Sequence, residues 1–297
     1  MRNLIKVILM ISMFNNGFGQ TLPANLVVKG AEIEKVASGY SFTEGSSTAS
    51  DGSVYFTDQP NDRIYRWTEE NGVSLFMEGT QRSNGTYFDM SGNLISCADL
   101  NNSLVKITMD RKIEVIYAQG YDSRHFNGPN DLWINPAGGI YFTDPYYHRN
   151  YWDPDHKQLL DVQGVYYLDT RGKLTRVISD LQQPNGITGT PDGRYLYVAD
   201  IKDRKTWKYK INTDGSLSEK TLFAEAGSDG MTIDTKGNIY LTSGKVLIFN
   251  SKGEKTGEIE LPESPSNLCF AGTKRNILFI TARTSVYTLK MKVRGVE

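Results

Sequence analysis

Residues 42–67 read FTEGSSTASDGSVYFTDQPNDRIYRW, and the order of residue types in this stretch sets the fold. Asp51-Gly52 is a hairpin-turn pair. Val54, Tyr55 and Phe56 follow as a β-branched and aromatic strand. A polar connection then leads to a second strand through Ile64 and Trp67. Eight positions before the turn glycine stands an acid, Glu44.

The same layout returns five times. The copies read SGNLISCADLNNSLVKIT from Ser91, AGGIYFTDP from Ala137, DGRYLYVADIKDRKTWKYKI from Asp192, KGNIYLTSGKVLIFN from Lys236 and KRNILFITARTSVYTLKM from Lys274. Their turns centre on Gly52, Gly92, Gly138, Gly193, Gly237 and, in the most degenerate copy, Arg275. Successive turns lie roughly 40 to 55 residues apart, the period of four-stranded propeller blades. The expectation is an all-β chain forming one six-bladed β-propeller. The last copy ends near Lys292, one strand short. The unassigned segment Leu26–Val36 is therefore expected to supply the outer strand of the last blade.

The ends and the composition bound the rest. Arg2 and Lys6 precede a short apolar run, Val7 to Phe14, and then Gly17-Phe18-Gly19. This reads as a secretory signal peptide over residues 1–19, because the run is well short of the ~20 residues that span a bilayer. A retained N-terminal anchor is the other reading. With the leader removed, residues 20–297 form a single domain, exported and most simply periplasmic, with no membrane attachment. A formal net charge of −1 gives no electrostatic footprint for nucleic acid. Cys97 and Cys269 each lie in an apolar strand, either as buried thiols or as a disulfide.

The residues eight before each turn are Glu44, Asn84, Asn130, Asn185, Asp229 and Asn267. In a propeller this position opens the inner strand, about 25 Å from the turn at ~3.3 Å per residue, and faces the axis. Six converging oxygen-bearing side chains are costly without a partner. A hard divalent cation such as calcium answers that cost, with Glu44 and Asp229 supplying charge and Asn130 and Asn185 neutral carbonyls. The absence of His and Cys from the ring argues against zinc or copper. Asn and Asp at strand starts are also ordinary turn formers, but that does not account for Glu44 and Asp229 in phase with them.

At these residues the chain resembles the senescence-marker-protein/gluconolactonase (regucalcin-like) family, nearest its bacterial gluconolactonase branch. The marks are FTEGSS, FNGPNDL from Phe126, YFTDP from Tyr141, QPNGI from Gln183, SDGMTID from Ser228 and ITARTSVYTL from Ile280. The resemblance implies a calcium-dependent hydrolase of a small-molecule sugar lactone. Its metal ligands would be Glu44, Asn185 and Asp229, with Asn130 completing the shell or touching substrate. Zn2+, Mn2+ or Mg2+ are the alternative ions. Asn84 and Asn267 do not match usual ligands and read as supporting structure. Many relatives carry an arginine where this chain has His125, with Arg124 one position earlier.

The implied chemistry is polarisation of the lactone carbonyl by the ion and attack by water. Asp229 acts as general base or assists loss of a proton from a water held by the ion. The connection from Pro145 to Gln163 is long and aromatic, placing Tyr146, Tyr147, His148, Trp152 and His156 above the channel mouth beside Arg149 and Asp153. The substrate-binding candidates are Asn130, Arg124, His125, Asp144, Tyr146, Tyr147 and Trp152. Asp58, Asp99, Asp144 and Asp200 close the second strands, and all but Asp144 read as turn or blade-to-blade partners. An esterase or phosphotriesterase on the same metal, or a non-catalytic carbohydrate- or calcium-binding propeller, are the competing functions.

Overall fold

Hairpins whose middle strands are apolar on both faces cannot stand alone in water, and here they are packed side by side around an axis. The computed structural model describes residues 22–155 and 157–296. The expected leader, residues 1–19, lies outside them. Strand β1 (Glu34–Ser38) precedes the blades. Blade 1 is β2 (Thr43–Thr48), β3 (Val54–Asp58), β4 (Arg63–Thr68) and β5 (Gly72–Glu78). Blade 2 is β6 (Ser83–Phe88), β7 (Leu94–Ala98), β8 (Ser103–Ile107) and β9 (Ile113–Tyr117). Blade 3 is β10 (Leu132–Ile134), β11 (Ile140–Asp144), β12 (Gly164–Leu168) and β13 (Leu174–Ile178).

Blade 4 is β14 (Pro184–Gly189), β15 (Tyr195–Asp200), β16 (Lys205–Ile211) and β17 (Leu217–Ala224). Blade 5 is β18 (Met231–Ile233), β19 (Ile239–Ser243), β20 (Lys245–Phe249) and β21 (Lys255–Ile259). Blade 6 is β22 (Pro265–Ala271), β23 (Ile277–Ala282) and β24 (Ser285–Lys290), with β1 as its fourth strand. The molecule is the six-bladed propeller the repeat implies.

Ring closure is antiparallel, with Glu34 opposite Thr288 and Ser38 opposite Ser285. The closing strand begins later than the segment Leu26–Val36 suggested. Residues 26 and 27 make only an isolated bridge, Val27 with Met291. Their side chains are used instead for burial, filling the core between blades 5 and 6 beside Tyr240, Phe270 and Leu289.

The middle strands β3, β7 and β11 are buried along their whole length because each touches a neighbouring blade on both faces. Aromatic rings carry much of that contact. Tyr55 meets Phe88 of blade 2 edge-on at 5.3 Å, and Tyr240 meets Phe270 of blade 6 at 5.3 Å. Such pairs contribute about 0.5–1.5 kcal/mol each beyond their buried area. Nearer the axis, hydroxyls join the blades. Thr86 Oγ1 donates to the Gly45 carbonyl at 2.6 Å and Ser266 Oγ to the Thr43 carbonyl at 2.6 Å. The run of small hydroxyl residues around Glu44 serves this purpose. Cys97 and Cys269 sit in different blades as buried free thiols, which settles the choice left open by sequence.

Deleting residues 22–38 removes the closing strand and uncovers the core between blades 5 and 6. The expected outcome is loss of soluble protein; a soluble truncated chain melting cooperatively near the full-length temperature would contradict it.

Candidate active site at the channel mouth

The inner strands reach the axis irregularly, and that irregularity makes the site. Pairing between first and second strands skips after Glu44, after Ser83 and after Pro184. Asn130 and Asp229 precede the short strands β10 and β18 altogether, their amides donating to Thr143 O at 2.9 Å and Thr242 O at 3.1 Å. The skips let neighbouring inner strands come close. Gly45 shows how close: a Cβ there would lie 1.9 Å from the Asn84 carbonyl oxygen, and its φ is +50°. At Gly230 a Cβ would lie 2.5 Å from Asn267 Nδ2. A glycine directly after Glu44, Asn84, Asn185 and Asp229 is the sequence signal for this crowding.

The six ring positions then divide. Glu44 of blade 1 and Asp229 at the start of blade 5, with blade 6 between them, come into direct side-chain contact. Asn185 Nδ2 donates to Asp229 Oδ1 at 2.8 Å and to the Tyr147 hydroxyl at 2.8 Å. Its Oδ1 is buried and accepts no hydrogen bond. Asn130 is buried, with its backbone carbonyl accepting from Gly85 N at 2.7 Å. Asn267 is committed elsewhere: its Oδ1 accepts from Ser46 Oγ at 3.0 Å and Leu268 N at 2.7 Å. Asn84 lends its backbone carbonyl to Thr57 Oγ1. Below the ring, a cavity of about 20 Å³ is lined by residues of all six inner strands, among them Ser46, Thr86, Asp131 and Asn267. It has room for about one water molecule.

Electrostatics follow from this packing. Burial first, and then the facing Asp229 charge, push the Glu44 carboxyl well above the usual carboxylate range; Asp131 adds to the repulsion and the Gly45 N–H opposes it. Asp229 is also raised by burial, against the hydrogen bonds from Glu44 and Asn185 and the charges of Arg149 and Arg283. Two carboxyl groups in contact and an orphaned buried amide oxygen suit a hard, oxygen-seeking cation. Among the described residues no group of three His, Cys, Asp or Glu is placed to hold a metal. The amide oxygen beside the two carboxyl groups that accepts no hydrogen bond is Asn185 Oδ1.

The lid, residues 145–163, is ordered by hydrogen bonds to the body. Asn127 is fully buried; its Oδ1 accepts from Leu159 N at 3.0 Å and Leu160 N at 2.9 Å. Tyr146 N donates to Gln163 Oε1 at 2.8 Å, and Gln183 Nε2 donates to the Tyr146 carbonyl at 3.1 Å. The Tyr146 and Trp152 rings stack with centroids 6.4 Å apart. Tyr147 is the lid residue joined to the ring, and burial raises its hydroxyl pKa, helped by Asp229. His148 and Asp153 are exposed. His156 lies outside the described residues.

Three sequence candidates have other placements. Arg124 and His125 stand exposed beside a tight turn closed by Tyr121 and Arg124 backbone bonds, and the structure does not bring them to the ring. Asp144 is fully buried and accepts from Asn127 N at 3.0 Å and Gly128 N at 2.8 Å. Its carboxyl is pushed up to about 7 by burial, and both its oxygens serve the backbone rather than a pocket. Asp58 and Asp200 do the same for the approaches to β2 and β14. The sequence reading passed over Asn127 and Arg283.

The geometry is that of a six-bladed propeller with an oxygen-lined axial site beneath an aromatic lid. Residues 42–284 match the SMP-30/Gluconolactonase/LRE-like region, and the chain belongs to that family. It is 29% identical to the gluconolactonase of Zymomonas mobilis over 292 residues, covering 89% of this chain and 82% of that protein. It is 24% identical to pentonolactonase XacC of Haloferax volcanii, covering 77% and 76%. A solved gluconolactonase structure from Xanthomonas campestris superposes with a TM-score of 0.83 at 25% identity, covering 89% of this chain and 91% of that one.

Because folding raises both carboxyl pKa values, the metal-free protein binds more protons than its unfolded chain above the usual carboxylate range. Its stability should fall as pH rises above the usual carboxylate range. Asp144 contributes with the same sign but is not part of the ring. Calcium should therefore raise the melting temperature more at pH 8 than at pH 5, and Glu44→Gln should lessen that difference. An equal calcium shift at both pH values would contradict the assignment.

Proposed function

We propose that this chain hydrolyses a sugar lactone to the corresponding aldonic acid with one divalent cation, calcium, held by Glu44, Asn130, Asn185 and Asp229. Lactone hydrolysis is supported by the family and by its relatives named gluconolactonase and pentonolactonase. The observation that carries the metal is the orphaned Asn185 Oδ1 beside the touching Glu44 and Asp229 carboxyl groups. When bound, the ion supplies Lewis-acid polarisation of a carbonyl and stabilises the negative charge that develops on its oxygen.

The remaining work falls to the chain's own residues. Asp229 takes a proton from the attacking water as the bond from water oxygen to carbonyl carbon forms. Asn185, through its amide, holds the orientation of Asp229. The ester C–O bond then breaks, and the proton passes to the departing ring oxygen, giving a hydroxy acid that ionises to its carboxylate. Raised basicity from burial suits Asp229 to this task, while Arg149 and Arg283 restrain it. The stacked Tyr146 and Trp152 rings offer an apolar wall beside polar groups, the combination that holds a sugar ring.

Acid release should be seen with aldono-lactones in calcium and be lost on chelation. Asp229→Asn should lower kcat by about a hundredfold or more, the usual range for a general base. Absence of chelator-sensitive hydrolysis of any lactone would overturn the proposal. Turnover of organophosphates or simple esters in that case would point to a different ester chemistry on the same ring.

A further inference from the structure

The four aspartates that close the second strands do not behave alike. Asp58, Asp144 and Asp200 each turn their carboxylates onto two backbone N–H groups leading into an inner strand of their own blade. Asp99 accepts no backbone N–H. In blade 2 that task is taken by Asp62 Oδ1, which accepts from Arg82 N at 2.7 Å, and by Thr80 Oγ1, which accepts from Ser83 N at 3.3 Å. The Asp99 carboxylate is thereby released for another purpose while remaining only 1% exposed.

That purpose is visible in its partners. Asp99 Oδ2 accepts from Arg149 Nε at 2.6 Å, from the Tyr151 hydroxyl at 2.6 Å and from Gln59 Nε2 at 2.9 Å. Two of the three donors belong to the lid. A charge-assisted bond from guanidinium to a buried carboxylate is among the stronger contacts a loop can make. The body is shaped to receive it. A Cβ on Gly128 would lie 2.9 Å from Asp99 Oδ1 and 3.4 Å from the Trp152 ring, so the missing side chain lets the lid descend onto this carboxylate. Arg82 seals the outer side, its guanidinium carbon 4.4 Å from the centre of the Tyr151 ring.

From there the connection to the ring is short. The Arg149 guanidinium lies 5.3 Å from the centre of the Tyr147 ring, and Tyr147 receives Asn185 Nδ2. Arg149 also acts electrostatically on Asp229.

We propose that Asp99 is a positioning residue of this site: its carboxylate pins Arg149 and Tyr151, and through them sets Tyr147 against Asn185 and the Arg149 charge beside Asp229. The lid is then a fixed wall rather than a mobile cover. Its consequence for specificity is selection of ring-shaped, hydroxyl-bearing substrates that meet Tyr146, Tyr147 and Trp152 at once, over small unsubstituted lactones. The kinetic consequence rests on the lactone-hydrolase reading; the anchoring does not.

Two readouts on the full chain separate these. Asp99→Asn should speed amide hydrogen exchange in peptides spanning 145–163 at least tenfold, with the strands of blade 2 unchanged. It should also raise KM for an aldono-lactone by tenfold or more, with a smaller fall in kcat, a split that general destabilisation would not produce. Arg149→Gln and Tyr151→Phe remove the contact from the lid side and carry the same expectation for exchange if Asp99→Asn does not fold. Unchanged lid exchange in the folded variants would overturn the anchoring, and equal loss in kcat and KM would overturn the positioning role. If the wild-type chain hydrolyses no lactone, the failure belongs to the functional reading, and the exchange measurement decides the anchor by itself.

Discussion

Two buried carboxyl groups, Glu44 and Asp229, are held in contact at the centre of this molecule, and much of the structure serves to make that contact tolerable. Left alone, each would repel the other in a setting where water cannot screen them. The surrounding groups meet the cost in parts: a backbone N–H on Glu44, an asparagine amide on Asp229 and two arginines at a distance. The buried Oδ1 of Asn185, which accepts no hydrogen bond, lies beside this pair, and the cation proposed above would complete the compensation. The propeller is a means to this end, because only convergence of several inner strands brings residues so distant in sequence to one point.

Crowding at the axis has its own requirements. Four ring residues are followed by glycine where the next blade presses close, and nearby hydroxyls, Thr86 two residues after Asn84 and Ser266 just before Asn267, reach carbonyls of blade 1. Farther out, blades separate and aromatic rings fill the space. The lid is fastened to this frame at both ends of its course: Asn127 holds its return limb, and Asp99 holds its tip. The aromatic lid and the Glu44–Asp229 pair are thus mounted on one frame.

The blade repeat and the ring positions were legible because hairpin chemistry and spacing are local properties. Contacts across blades were not. Leu26 and Val27 look like part of a strand, yet they are claimed by the core between blades 5 and 6, and pairing starts at Glu34. Asp99 looks like Asp58 and Asp144 in its repeat, and only Asp62 of the neighbouring blade, by taking over the backbone task, explains its difference. Arg124 precedes a family motif and stands near Asn130 in sequence, but the turn at Tyr121 leaves it exposed. Asn267 shares the ring spacing of Asn185, while its oxygen is consumed by Ser46 and Leu268.

The central claim is that the Glu44–Asp229 pair and Asn185 form a single cation site. Titration of the metal-stripped chain with calcium, followed by calorimetry, tests it most directly. One saturable site per chain is expected in the wild type, weakened strongly in Glu44→Gln and in Asn185→Ala, both still folded. No saturable binding, or calcium affinity unaltered by either substitution, would contradict the account.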